Sequence, residues 1–91
     1  MRLSDLCPDL IDGLVIKSPS VQIEMDGPWS VLTYSAPLVT PESLAPVVKR
    51  VVAEGPSTVV SIGGGSVMDC AKFAIHEMGG GEHIAIPTTI G

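Results

Sequence analysis

The sequence predicts an α/β fold with a mostly parallel sheet and flanking helices. Short runs rich in β-branched residues alternate with two longer stretches whose apolar residues recur at helical spacing. Residues 58–62 form a continuous apolar run of the kind found in parallel strands that are buried on both faces. A strand at 31–35, a helix from Thr40 and this run follow one another, which predicts one βαβ unit.

Residues 1–30 are the least readable part of the chain. Residues 14–17 and 21–25 are candidate short strands, the second because apolar and polar residues alternate along it. From residue 31 the pattern is clearer, since Val-Leu-Thr-Tyr-Ser is β-branched and aromatic and ends at Ala36-Pro37.

The first helix has start and stop signals in its own sequence. Thr40 can cap free amides, Pro41 suits the first helical position, and Gly55-Pro56 ends the pattern. The predicted apolar stripe consists of Leu44, Val47, Val48, Val51 and Val52, with Lys49, Arg50 and Glu54 turned outward.

The second helix begins near Ser66, after a run of three glycines, and ends at Gly79. Its predicted apolar positions are Val67, Ala71, Ala74, Ile75 and Met78. Residues 84–86 then form a third predicted buried strand.

Composition limits the classes of protein that the chain can represent. Its 91 residues suffice for one domain. A mean hydropathy of +0.44 is high for so short a chain, because so few residues cannot bury all their apolar surface. The sequence therefore predicts either a piece of a larger protein or a chain whose apolar surface is covered by a partner. A formal charge of -5 without a basic cluster argues against nucleic acid. No apolar stretch is long enough for a membrane span or a secretory leader, which predicts a cytoplasmic protein. The two cysteines, Cys7 and Cys70, form no CxxC pair and belong to no Cys/His cluster, so neither a disulfide framework nor a structural zinc site is indicated.

The strongest functional signal is the glycine run at residues 63–65, between a buried strand and a helix. Glycines let the backbone approach a ligand closely, and the helix that follows presents unpaired amides and a positive dipole end, which together favour a phosphate. The alternative is a tight turn with Ser66 as a simple helix cap. The P-loop pattern is missing, and Met68 stands where the dinucleotide fingerprint requires its third glycine.

Two segments in order resemble one family. Residues 63–72, Gly-Gly-Gly-Ser-Val-Met-Asp-Cys-Ala-Lys, and residues 84–89, Ile-Ala-Ile-Pro-Thr-Thr, are similar to the iron-containing (group III) alcohol dehydrogenases, relatives of glycerol dehydrogenase and dehydroquinate synthase. The resemblance covers roughly residues 30–91 and is close over 59–91. It implies a partial Rossmann-like dinucleotide-binding domain at 30–91, after a poorly assigned segment at 1–29.

The resemblance implies an oxidoreductase that transfers hydride between a small alcohol or aldehyde and NAD or NADP, with iron or zinc in the full enzyme. By that likeness, the pyrophosphate is held by Gly64, Gly65 and Ser66, the ribose and phosphate region is oriented by Asp69 on the first helical turn, and the groove is lined by Thr88 and Thr89. Asp69 can equally act as a helix-dipole partner and the threonines as strand-end residues. The choice between NAD and NADP stays open.

Other residues receive no catalytic or metal role. The family's metal ligands belong to a helical C-terminal domain beyond Gly91, so His76 is expected at a helix surface and His83 at a strand entrance. Lys72 could form a local ion pair with Asp69, and Cys70 is expected to be a packed apolar residue. The chain alone is therefore expected to be inactive. Its expected partners are further copies of itself in a homo-oligomer or a partner chain that completes it. The alternative is a non-catalytic nucleotide- or phosphate-binding module or partner-dependent subunit.

Overall fold

The computed structural model describes residues 13–23, 29–35 and 39–88. Within these ranges the chain forms four strands and two helices. In order they are β1 (Gly13–Lys17), β2 (Trp29–Thr33), α1 (Pro41–Glu54), β3 (Thr58–Gly63), α2 (Gly65–Met78) and β4 (Glu82–Pro87).

The four strands form one parallel sheet in the order β2-β1-β3-β4. The predicted α/β class with a partial Rossmann-like sheet is therefore confirmed. Val15 in the middle of β1 lies opposite Val31 of β2 on one side and Val60 of β3 on the other. The strands of the predicted βαβ unit are thus not neighbours, because β1 lies between them. β2 lies on one side of β1, and β3 and β4 follow on its other side, so the strand order reverses between β1 and β3.

Strand β1 comes from the segment that the sequence left unassigned, and the prediction of a strand at 14–17 is confirmed. The second predicted strand there is wrong over the described residues 21–23, which are irregular, and residues 24–25 lie outside the description. Val21 is only 4% exposed because it packs against the sheet with Val15, Val60 and Ile62. The alternation in sequence therefore reflects this packing, without strand pairing.

The helices cover one face of the sheet. There, buried side chains of α1 and α2 pack on inward-facing residues of the strands; they include Leu14, Ile16, Leu44, Val47, Val51, Val59, Val67, Cys70, Ala71, Ala74 and Ile75. The opposite face carries a second cluster around Val15, Val60 and Ile62, with Val21 over it. The two central strands, β1 and β3, are consequently buried on both faces, and this burial of apolar surface stabilises the sheet.

Helix α1 begins and ends where the sequence predicts. The Ser43 N–H donates to Thr40 Oγ1 at 3.1 Å and the Thr40 N–H donates to Ser43 Oγ at 2.9 Å, a complete capping box. At the other end, the Gly55 N–H donates to the Val51 carbonyl at 2.8 Å with φ at 57°. Val52 was predicted to lie in the apolar stripe, but it is 55% exposed because it lies at the margin of the buried face.

Two strands differ from their predicted form. β2 begins at Trp29 and ends at Thr33, two residues earlier than the predicted range at each end. β4 was predicted to be buried, but Ala85 is exposed and Ile84 and Ile86 are only half-buried. Within the described residues β4 pairs with β3 alone, so one of its edges has no neighbouring strand. In the same described part of the chain, neither helix has the length and apolar character needed to cross a bilayer.

Candidate functional site

Three strand ends meet around the glycine turn that follows β3. The Ser18 N–H, just after β1, donates to the Ile62 carbonyl at 3.1 Å. On the other side, the Thr88 N–H, just after β4, donates to the Gly63 carbonyl at 3.1 Å. Because parallel strands end at the same edge of a sheet, the turn is enclosed by β1 on one side and β4 on the other. This edge, at the reversal of strand order, is where open α/β sheets bind ligands.

The three glycines of the turn have different roles. Gly63 has φ at +155°, and a Cβ built on it would lie 3.0 Å from Val67 Cγ2 and 3.2 Å from Ser18 Cβ. A Cβ at Gly64 or Gly65 would meet nothing within 4 Å. Glycine at position 63 is therefore required by packing and backbone, whereas the next two glycines leave open space in front of α2.

The start of α2 has amides that no side chain caps. Gly64 is its N-cap residue, no side chain makes a cap hydrogen bond, and the first helical bond is from the Met68 N–H to the Gly64 carbonyl at 3.2 Å. The N–H groups of Gly65, Ser66 and Val67 therefore precede the helical ladder. Helix α1 differs, because its capping box occupies its own first amides. Of the two helix starts at this edge, that of α2 leaves its first amides without a side-chain cap.

Ser66 lies two residues beyond the N-cap position, which Gly64 occupies. It is the second residue of α2, so the alternative interpretation that it caps the helix is wrong. Its side chain is half-buried, and its hydroxyl makes no hydrogen bond with any residue that the structure describes. The hydroxyl is thus available to a ligand at the start of the helix.

The other predicted site residues lie at different distances from this turn. Thr88 is half-buried and bonded to it, as described above, and Thr89 lies outside the described residues. Asp69 is exposed and is the fifth residue of α2, so its predicted place on the first turn is wrong. Asp69 and Lys72 form no ion pair. Asp69 therefore lies on the exposed surface of α2, beyond its first turn.

Sequence reasoning missed the end of β1. Ser18 and the exposed Ser20, whose hydroxyls are 3.2 Å apart, follow Lys17 directly beside the glycine turn. Nothing local in the sequence marks this segment, because its importance depends on β1 pairing with β3. The predicted short strand at 14–17 was the only available signal.

His83 and Cys70 serve the packing beneath α2. His83 Nε2 is 2.7 Å from the Oγ of Ser61, which is fully buried, and burial together with the nearby Lys72 charge lowers the pKa of His83. Burial raises the pKa of the Cys70 thiol to about 11, so it is an inert packed residue, as predicted. His76 is exposed on α2, also as predicted. Among the described residues, no three His, Cys, Asp or Glu side chains are grouped as a metal site.

The fold and this edge together define a partial Rossmann-like α/β protein with an uncapped helix start at the point where the strand order reverses. Against models of protein families, residues 22–91 match the iron-containing alcohol dehydrogenases. The chain belongs to this family, which is one of alcohol dehydrogenase-type oxidoreductases. No curated protein and no solved structure matches the chain. The family match begins after β1, so it includes the glycine turn and excludes Lys17, Ser18 and Ser20.

Proposed function

We propose that this chain binds a nicotinamide dinucleotide at the glycine turn, as the cofactor-binding part of a metal-dependent alcohol dehydrogenase. The observation that carries the proposal is Gly65, in the first turn of α2, where neither backbone nor packing requires glycine. Glycine within a helix costs roughly 0.5–1 kcal/mol relative to alanine. A ligand that must approach the backbone closely explains a glycine at this position.

Gly64 supports the same conclusion. Its φ of -86° and ψ of -166° are accessible to any residue, and Ser, Asp or Asn would cap α2 better. Such a side chain would occupy the amides of Ser66 and Val67 that an incoming phosphate needs. The absence of a capping side chain therefore leaves the amides free for a pyrophosphate, whose negative charge also suits the helix dipole.

The remaining contacts are assigned around the pyrophosphate. Ser66 would donate its hydroxyl, while Thr88, with Thr89 after it, would line the groove beyond β4. Asp69 would orient the ribose and phosphate region from the surface of α2. When bound, the nicotinamide supplies hydride transfer to or from a small alcohol or aldehyde. The chain's own contribution is to bind and orient this cofactor.

The described residues do not form the metal site that the family name implies. No cluster of three ligating side chains is present among them, so we assign no metal ligand and no catalytic residue to this chain. Substrate binding and metal-assisted chemistry would depend on residues other than those described. We therefore expect the purified chain, with NAD or NADP and added Fe²⁺ or Zn²⁺, to show no turnover of small alcohols. The cytoplasm is the expected location.

The test is calorimetric titration of the chain with NAD and with NADP. Gly64→Asp is the diagnostic variant, because an aspartate N-cap stabilises a helix start by its hydrogen bond while its charge and side chain exclude a phosphate. Ser57→Asp is the matched control, since Ser57 is exposed just before β3, at the opposite edge of the sheet. It adds the same charge far from the turn.

We expect the wild-type chain and Ser57→Asp to bind at least one dinucleotide with equal affinity. Gly64→Asp should bind at least about tenfold more weakly, the equivalent of about 1.4 kcal/mol. Its thermal unfolding temperature should not fall, which separates lost binding from lost folding. The proposal is wrong if the folded wild-type chain binds neither dinucleotide, or if Gly64→Asp binds as well as the wild type.

The open edge of β4 favours a second candidate function, a partner-dependent phosphate-binding module. Within the described residues this edge lacks a neighbouring strand, and unpaired strand edges recruit other chains. Such a module would bind ADP or inorganic phosphate as tightly as it binds NAD or NADP, and would sediment as an oligomer or complex. Clear selectivity for the complete dinucleotides would exclude it.

A further inference from the structure

We infer that the groove between α1 and α2 is the surface through which two copies of this chain form a two-fold dimer. The groove is lined by residues of the two helices and of the segment just before α1, and none of its lining residues belongs to a strand or to the glycine turn. The inference therefore goes beyond the proposed function and does not depend on it.

The groove is an apolar depression of about 700 Å³ in the helix layer. Leu44, Ala45 and Val48 of α1 line it on one side, and Phe73 of α2 lines it on the other. Phe73 is 45% exposed, and Val52 is the other large apolar side chain that is exposed in the described part of the chain. Val52 lies four residues after Val48, on the same face of α1. Both exposed side chains thus lie in or beside one groove.

The layers of the fold leave this groove open. The two helices already cover one face of the sheet with their buried side chains. Strands added beside β4, or helices added on the opposite face of the sheet, would extend layers to which the groove does not belong. An exposed apolar surface with charged residues at its rim is typical of a contact between chains.

Two charged side chains indicate that the partner is a second copy. Lys49 of α1 and Glu77 of α2 both line the groove and are exposed, and neither forms an ion pair with any residue that the structure describes. In a two-fold contact a surface meets itself, so each pair of touching residues occurs twice. Lys49 of each copy can therefore pair with Glu77 of the other. A groove of one sign would instead favour a partner of the opposite charge.

The face that carries the groove is large enough for such a contact. The chain measures 33 × 32 × 15 Å, so its broad face has an area of roughly 1,000 Å², more than the about 800 Å² that each partner buries in an interface of standard size. A contact over the groove would bury Phe73 against apolar side chains, as in the aromatic anchors that dominate binding energy. Because exposed ion pairs add little affinity, we expect dissociation constants in the micromolar range.

The experiment is sedimentation velocity of the purified chain without ligand, at protein concentrations from about 1 µM to about 200 µM. Lys49→Glu and Glu77→Lys each place like charges opposite one another in the dimer. The double variant, Lys49→Glu with Glu77→Lys, restores opposite charges in exchanged positions. Lys72→Glu is the matched control, because it makes the same charge change on an exposed residue of α2 outside the groove. Circular dichroism and thermal unfolding establish that each variant is folded.

We expect the wild-type chain to pass from monomer to dimer across this concentration range. Each single charge reversal should weaken dimerisation at least about tenfold, because it creates two repulsive contacts in every dimer. The double variant should dimerise as the wild type does, and so should Lys72→Glu. Phe73→Ala should also weaken dimerisation at least about tenfold, since it removes the aromatic anchor.

Three results would overturn the inference. One is a wild-type chain that stays monomeric at the highest concentration. Another is an assembly that persists in Lys49→Glu and Glu77→Lys, because the contact then lies on another surface, such as the open edge of β4. The third is a double variant that remains monomeric although it is folded, since the choice of a second copy rests on the pairing of Lys49 with Glu77. The proposed function is tested separately by the dinucleotide titrations.

Discussion

Replacing Gly63 by alanine should destabilise the chain strongly, whereas the same change at Gly65 should not. In Gly63→Ala the new Cβ would lie 3.0 Å from Val67 Cγ2, and the alanine would have to adopt φ near +155°, which L-residues rarely do. Val67 is 2% exposed and β-branched, so it cannot rotate away, and Ser18 is held by its backbone hydrogen bond. At Gly65 the new methyl group meets nothing within 4 Å.

The magnitude follows from two contributions. An unfavourable backbone conformation costs about 1–3 kcal/mol, and an extra methyl group in a packed region costs about 1–3 kcal/mol. Gly63→Ala should therefore lose roughly 2 kcal/mol or more in the free energy of unfolding. For a domain of this size, that lowers the unfolding temperature by at least about 8 °C. Gly65→Ala should leave it unchanged or raise it slightly, because alanine favours the helix.

The assay is thermal and urea unfolding of both variants, followed by circular dichroism. Similar unfolding temperatures for Gly63→Ala and Gly65→Ala would refute the division of the glycines into a structural one and open ones. Destabilisation at Gly65 alone would reverse the assignment, and the argument that Gly65 serves a ligand would lose its basis.

Three other predictions concern the surrounding structure. The pKa of His83 is lowered in the folded chain, so folding opposes protonation of this imidazole. The stability that neutral His83 contributes is therefore complete above about pH 6.5, the ordinary histidine value, and is lost as the pH falls through the folded-state pKa. Unfolding temperatures should fall from pH 8 to pH 5, and His83→Gln should flatten that profile. Thr40→Ala should lower the free energy of unfolding, measured in urea, by about 1 kcal/mol because it removes the side-chain cap of α1. Ser66→Ala removes no cap and should leave that free energy unchanged. Equal losses in the two variants would contradict the conclusion that α1 is capped by a side chain and α2 is not. Cys70 should resist iodoacetamide at pH 8 in the folded chain and react in urea, as peptide mass spectrometry would show, since its thiol is buried with a pKa of about 11; labelling of the folded chain at Cys70 would disprove this.

The sequence alone determined the features that depend on neighbours in the chain. The start of α1 at Thr40 and its end at Gly55 were predictable because caps join residues no more than four positions apart. The buried character of β3 followed from its unbroken apolar run. The glycine turn and the family were also predictable, since both are properties of contiguous segments.

The tertiary structure decided which segments lie side by side. A five-residue strand such as β1 carries no information about its partners, so its place between β2 and β3 could not be deduced from its sequence. That pairing brings Ser18 to the glycine turn and gives Gly63 a packing role that Gly64 and Gly65 lack. The edge position of β4 likewise contradicted its apolar sequence, because burial of a strand depends on what lies next to it. Capping is a local interaction and strand pairing is not, which is why the helices could be read from the sequence and the arrangement of the site could not.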